Sequence, residues 1–161
     1  MSKCECAVIR PVADGDVAVV REVFDGLGPG SRYQRFLGAK PELSERELES
    51  LSAVDHEDHE ALVAVDPASG AALGEAHLRR DPCDRGVAEV SFAVVDDCQN
   101  VHLGTRLAAQ LAARARELGI SRLRASMLVE NTRSRALFRG MGRVVGRSYD
   151  GGAVELEVAL D

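Results

Sequence analysis

Long apolar runs are missing from this chain. No stretch approaches the roughly 20 residues that a membrane span requires. The first residues, "MSKCECAVIRPVADGD", hold no apolar h-region of a secretory signal. The expectations are a cytoplasmic location and no membrane partner. An excess of basic charge is missing as well: 20 Lys and Arg stand against 26 Asp and Glu, for a net charge of −6. A nucleic acid is therefore not an expected partner. Acidity of this size serves solubility or suits a basic partner such as an amine, and both readings stay open. A cysteine framework is also lacking. Cys4, Cys6, Cys83 and Cys98 show no partner spacing, so free thiols are expected. A C-x-C pair without a second ligand pair predicts no metal site. No repeat, low-complexity tract or linker divides the 161 residues, which predicts one domain over 1–161.

What is present is a change of period along the chain. "CAVIRPV" reads as a strand, and Asp14 or Asp16 then caps a helix with Val17, Val20, Val23 and Phe24 on one face. "GLGPGS" breaks that helix, and "SRYQRFLG" follows as a short helical segment closed by Gly38. "LSERELESLS" carries Ser44 and Glu47 in capping-box spacing. "EALVAVD", "AALGEAHLRR" and "GVAEVSFAVVD" are strand-like, with "PASG" joining the first two as a hairpin. A long helix runs from about Gly104 to Leu118, with Leu103, Leu107, Leu111, Ala115 and Leu118 on one face and Gly119 as its stop. "RLRASML" is a strand and "NTRSRALFRGMG" a helix ending at Gly142. "RVVGRSY" and "GAVELEVAL" close the chain around "DGG". Helices interleaved with a mixed sheet define an α/β or α+β domain.

"DDCQNVHLGTRLAAQL" places a loop between a strand and the N-terminus of the long helix. The first N–H groups of a helix have no intrahelical acceptor and the dipole favours an anion there, so such a junction can cradle a phosphate. In the run from Val94 to Gly142, Gln99, Leu103 and Gly104 followed by "TRLAAQL", then "ENTRSRALFRGMG", resemble the GNAT superfamily of N-acetyltransferases. "SRYQRFLGAKPELSERELESLSAVD", "ALVAVD" and "AEVSFAVVDDCQ" resemble the catalytic domain of bacterial Pat-type protein lysine acetyltransferases. Some members of that group carry a further fused domain, for which this chain is too short.

The resemblance implies a GNAT fold, with a central mixed, mostly antiparallel sheet flanked by helices. It also implies acetyl-CoA as acetyl donor and an amine acceptor, by the narrower likeness a protein lysine. The implied cofactor-binding residues are Phe92, Ala93 and Val94 on the strand, Gln99, Asn100, Val101, His102, Leu103, Gly104 and Thr105 in the cradle, and Asn131. Asn131 also suits a helix N-cap. The implied catalytic base is Glu89, which shares a strand face with Ser91 and Ala93. No metal is implied.

The chain departs from the family at three places. Asn100 and His102 stand where the cradle usually has glycine, and Phe138 falls where many members carry a proton-donating tyrosine. Three outcomes are open for His102: its side chain points to solvent, its ring adds a phosphate donor, or coenzyme binding is impaired. Acetylation of a small-molecule amine and a non-catalytic coenzyme A-sensing or interaction module are the alternatives. Monomer and homodimer both fit. "DHEDHE" reads as a solvated acidic loop, Arg32 and Arg35 as lip or surface residues, and His77 as a candidate for the cleft. Acceptor specificity is expected in the loops Asp25 to Lys40 and Asp81 to Gly86.

Overall fold

The computed structural model describes residues 2–161. The element order is β1 (Val8–Pro11), α1 (Val17–Asp25), α2 (Pro29–Phe36), α3 (Glu45–Ser52), β2 (His59–Val65), β3 (Ala72–Arg80), β4 (Val87–Val94), a 3-10 turn (Asp96–Cys98), α4 (Leu103–Glu117), β5 (Arg122–Leu128), α5 (Thr132–Arg139), β6 (Arg143–Asp150) and β7 (Ala153–Ala159). The seven strands form one sheet in the order β1-β2-β3-β4-β5-β7-β6. Every neighbouring pair is antiparallel except β4 with β5. This is the mixed, mostly antiparallel sheet that the element pattern implies.

Local chemistry accounts for most boundaries. Asp16, and not Asp14, caps α1 by accepting from the Val19 amide at 3.2 Å. Ser44 and Glu47 exchange both bonds of a capping box at the start of α3. Pro29 opens α2 from within the segment expected only to break the preceding helix, because its lost N–H and fixed φ suit a first helical turn. Leu37, at φ 59°, turns the chain out of α2, where Gly38 was the expected stop. Helix α5 likewise ends earlier than expected, on Gly140.

β2 and β3 are buried on both faces, whereas β5 and β7 alternate and β6 is exposed. Leu103, Leu107, Leu111 and Ala115 of α4 cover one face together with Phe138 of α5, packing on Leu62, Ala76, Leu78, Val90, Leu123 and Leu156. Val19 and Val23 of α1 and Leu27 cover the other, on Ala61, Val63 and Ala93. Period-2 alternation divides the buried residues of β2 to β4 between these layers.

The expectation of four free thiols is overturned. Cys4 and Cys98 form a disulfide across 94 positions of sequence, with Cα atoms 5.4 Å apart, while Cys6 and Cys83 are free and exposed. The N-terminal segment folds back along α4, where Arg106 holds the Ala7 carbonyl at 2.6 Å, and this brings Cys4 against the 3-10 turn. No sequence spacing reports a contact of that kind. "DHEDHE" is corrected in part. Asp55, Glu57 and Asp58 are exposed, but His59 and Glu60 open β2 and are buried. Glu60 is satisfied there by Arg114 at 2.9 Å and His56 at 2.8 Å. Among the described residues no helix is long and apolar enough to cross a membrane.

Candidate active site

Strands β4 and β5 pair only where Val87, Ala88 and Glu89 face Arg122, Leu123 and Arg124. β4 runs on to Val94 and β5 to Leu128 without further pairing. The strands therefore part, and their facing edges present unladdered backbone groups to whatever enters between them. Val90 to Val94 form one wall of the resulting cleft, and Ala125, Ser126 and Met127 form the other. The parallel pair is what opens the sheet.

The cradle closes one end of the cleft. Asn100 and His102 adopt φ 66° and 64°, the left-handed region that glycine enters without strain and that Asn and His tolerate better than most residues. The backbone thus keeps a glycine-like path although both glycines are gone. His102 is the N-cap of α4 with no side-chain cap bond, and the first helical bond comes from Arg106 to the His102 carbonyl at 3.1 Å. The amides of Leu103, Gly104 and Thr105 precede that bond, at the positive end of a 15-residue helix. The His102 side chain is exposed at the cleft mouth. A Cβ on Gly104 would meet only Leu137 at 3.6 Å and Val94 at 3.8 Å. Protein packing therefore tolerates a side chain at Gly104, and its bareness leaves room for a ligand.

A polar net fixes the loop. Gln99 donates to the Val94 carbonyl at 3.0 Å and to Ser31 Oγ at 3.1 Å, and accepts from Arg133 at 2.8 Å. Asp96 accepts from the Gly28 amide at 3.1 Å and from Ser31 Oγ at 2.7 Å, tying the start of α2 to the cradle. Gln99 is thus a brace for the loop, with its amide group occupied by the protein. Asn131 caps α5 by accepting from the Ser134 amide at 3.1 Å, as its N-cap reading expects, and also lines the cleft. Phe138 is buried at the cleft floor, where it offers no proton.

Phe92, Ala93, Val94, Gln99, Asn100, His102, Leu103, Gly104, Thr105 and Asn131 all line this one cleft. Two expected residues do not. Val101 turns its side chain against the core and leaves only its backbone to the cradle. Glu89 is exposed at the last paired position of β4, just outside the opening, while Ser91, next on the same face, lines it. Arg32, expected as a lip or surface residue, serves as a brace outside the cleft lining. Its guanidinium lies 4.0 Å from the Phe24 ring and bonds the carbonyls of Pro41 and Phe24.

Arg35, expected as a lip or surface residue, lines the cleft from α2, but sequence reasoning missed Ser31 and Gln34 beside it and Arg133 on α5. Burial lowers the Arg35 guanidinium from its usual range, and the carboxylates of Glu75 and Glu89 oppose that shift. The "SRYQRF" resemblance was the one signal present, and it carried no position in space.

A family model described as "Acetyltransferase (GNAT) family" matches residues 31–142. The chain belongs to the GNAT acetyltransferase family. It is 31% identical over 150 residues to the acetyltransferase Pat of Mycolicibacterium smegmatis, covering 93% of this chain and 44% of that protein. This GNAT chain thus spans less than half the length of that curated relative. Among solved structures it matches the GNAT domain of S. lividans PAT at a TM-score of 0.86 with 28% identity, covering 96% of this chain and 90% of that one. It shares its fold with yncA of Salmonella typhimurium, solved with its cofactor acetyl-CoA, at a TM-score of 0.74 and 20% identity over 97% of this chain and 95% of that one.

Proposed function

We propose that residues 1–161 act as one acetyl-CoA-dependent N-acetyltransferase domain whose acceptor is a protein lysine. The carrying observation is the bare N-terminus of α4 at the mouth of the opening between β4 and β5. Amides from Asn100 to Thr105 would hold the pyrophosphate, and the parting strand edges would take the polar arm. Acetyl-CoA supplies an activated thioester. The chain's own task is to align an amine with it and to manage protons. A lysine amine is mostly protonated at neutral pH, with a free pKa of about 10.4. Glu89, exposed on the β4 face beside the opening, serves as base through an intervening water. The Pat-like sequence and the net charge of −6 support a lysine-bearing partner, and the use of acetyl-CoA supports a cytoplasmic setting.

Calorimetry with acetyl-CoA tests the cradle, and mass spectrometry of lysine peptides and small amines incubated with enzyme and donor tests the acceptor. Micromolar binding with acetylation of peptide lysines is expected. Transfer to small amines alone would replace the lysine reading, and no binding would leave a non-catalytic module. Glu89→Gln should lower turnover by about 10²–10⁴ at neutral pH, with acetyl-CoA affinity unchanged and partial rescue at higher pH. Near-wild-type turnover removes Glu89 from the mechanism.

A further inference from the structure

Most arginines around the cleft are committed to the protein. Arg32 bonds the carbonyls of Pro41 and Phe24, Arg79 the Ser50 carbonyl, Arg124 the Asp81 carboxylate and Arg133 the Gln99 side chain. Arg35 differs. It lines the cleft half-buried, its guanidinium 4.7 Å from the Phe36 ring, and among the described residues it makes no hydrogen bond and no ion pair. A guanidinium is a permanent charge with five N–H donors, so holding it partly out of water without a partner costs stability. Its placement asks for a ligand.

The register of α2 over the sheet shows which end of the cleft Arg35 serves. The helix packs on β4 and β5 and roofs the opening between them. Ser31 is bonded to Gln99 and Asp96 at the cradle end. Arg35 stands on the same face of α2 one turn, about 5–6 Å, farther along. The charged groups acting on it are Glu75 and Arg79 on β3 and Glu89 on β4. Glu75 lies opposite Ala93 and Arg79 opposite Glu89, which brackets Arg35 at about the level of Ser91. Glu75 is itself buried against His77 at 3.2 Å, and His77 meets His59 at 3.1 Å, so that carboxylate is held away from the cleft.

In the proposed complex the charges of acetyl-CoA sit on its phosphates at the cradle, and the thioester brings none. An anion for Arg35 must then come from the acceptor. Glu89 is exposed and also without an ion pair, because its cross-strand neighbours Arg79 and Arg124 are committed elsewhere. A free carboxylate and a free guanidinium thus stand at one end of one cleft, and their complement is a cation beside an anion. We propose that Arg35 sets acceptor specificity by taking the carboxylate of an acidic residue that flanks the target lysine, while the lysine amine turns to Glu89. This rests on the lysine-acetylation reading. A guanidinium–carboxylate fork in a half-closed cleft is stronger than the same pair in water. A neutral flank leaves Arg35 unpaired, and a basic flank brings like charges together.

Three peptides test this, alike except that the central lysine is flanked on both sides by aspartate, asparagine or lysine. The arm without turnover is calorimetry of each peptide on the intact protein with coenzyme A present. The aspartate peptide should bind about tenfold tighter than the asparagine peptide, the scale of one charge-assisted pair. The net charge of −6 opposes an acidic peptide, so such a preference reports the local site. Equal affinities overturn the proposal. In the second arm, the kcat/KM ratio of aspartate to asparagine peptide should be about ten in the wild type, carried by KM, and about one in Arg35→Gln. Arg35→Glu should turn the preference to the lysine-flanked peptide. Arg35→Lys keeps the charge and loses the fork, so it should retain part of the ratio even if the other variants fold poorly. A ratio unchanged in Arg35→Gln overturns the proposal. So does an equal fall of kcat on all three peptides, which would assign Arg35 to the transfer step. A wild type that acetylates no lysine defeats the functional reading instead, while the calorimetry still decides the flank preference.

Discussion

Gly104 and His102 sit two positions apart at the start of α4 and pose opposite problems. Gly104 has room for a methyl group within the protein, so Gly104→Ala should fold normally and gain up to about 1 kcal/mol from helix propensity. In the proposed cradle the same methyl group would stand in the path of the pyrophosphate, and acetyl-CoA affinity should drop tenfold or more. Thermal melts and calorimetry on one preparation check both halves, and unchanged affinity would move the phosphate elsewhere. His102 carries a side chain in a conformation that costs an L-residue about 1–2 kcal/mol. His102→Gly releases that strain, partly offset by the greater freedom of glycine in the unfolded chain. With the ring exposed and the amides as donors, acetyl-CoA affinity should hold or improve. A clear loss of affinity would make the imidazole itself a ligand.

At the scale of elements, the cradle loop is held from three sides: Asp96 fastens α2, Arg133 of α5 reaches Gln99, and Cys98 is bonded to Cys4. The disulfide closes a loop of 94 positions, a length for which chain-entropy models give stabilisation approaching 5 kcal/mol, with 2–4 kcal/mol typical. Cys4→Ser, or reduction of the wild type, should therefore lower the melting temperature by several degrees. It should also weaken acetyl-CoA binding, since Cys98 lines the cleft. A melting curve with and without reductant is sufficient, and coincident curves would show that the bond contributes nothing in solution.

For the whole molecule, the buried histidine of β2 predicts how stability follows pH. The folded state keeps His59 neutral down to about pH 4, whereas an unfolded histidine takes up a proton near pH 6.5. The unfolded chain thus binds more protons between those values, so stability is full above pH 6.5 and falls as pH drops toward 4. The loss from this ring is on the order of 3 kcal/mol. Denaturant titrations at pH 7.5 and 4.5 should show it, and His59→Gln should flatten the difference. Equal slopes in both proteins would assign acid sensitivity to the carboxylates instead.

What the sequence determined by itself is local. The i, i+4 leucines make α4, Ser44 and Glu47 make the α3 cap, "PASG" makes a hairpin, and the alternation in "GVAEVSFAVV" puts Glu89 and Ser91 on one face. Each depends on neighbours within one or two turns or one pleat, so periodicity and capping chemistry suffice to read it. The identity of Asn100 and His102 was legible too, but their left-handed backbone was not, because only the closed loop shows which dihedrals it demands. The parting of β4 from β5, the roof formed by α2, the Cys4–Cys98 bond and the His59–His77–Glu75 chain were decided by tertiary structure. Apart from the His77–Glu75 contact within β3, those features join residues 18 to 94 positions apart through strand register and helix docking. Register is set by how the two faces of the sheet are buried against helices from distant parts of the chain, and no local pattern contains that information.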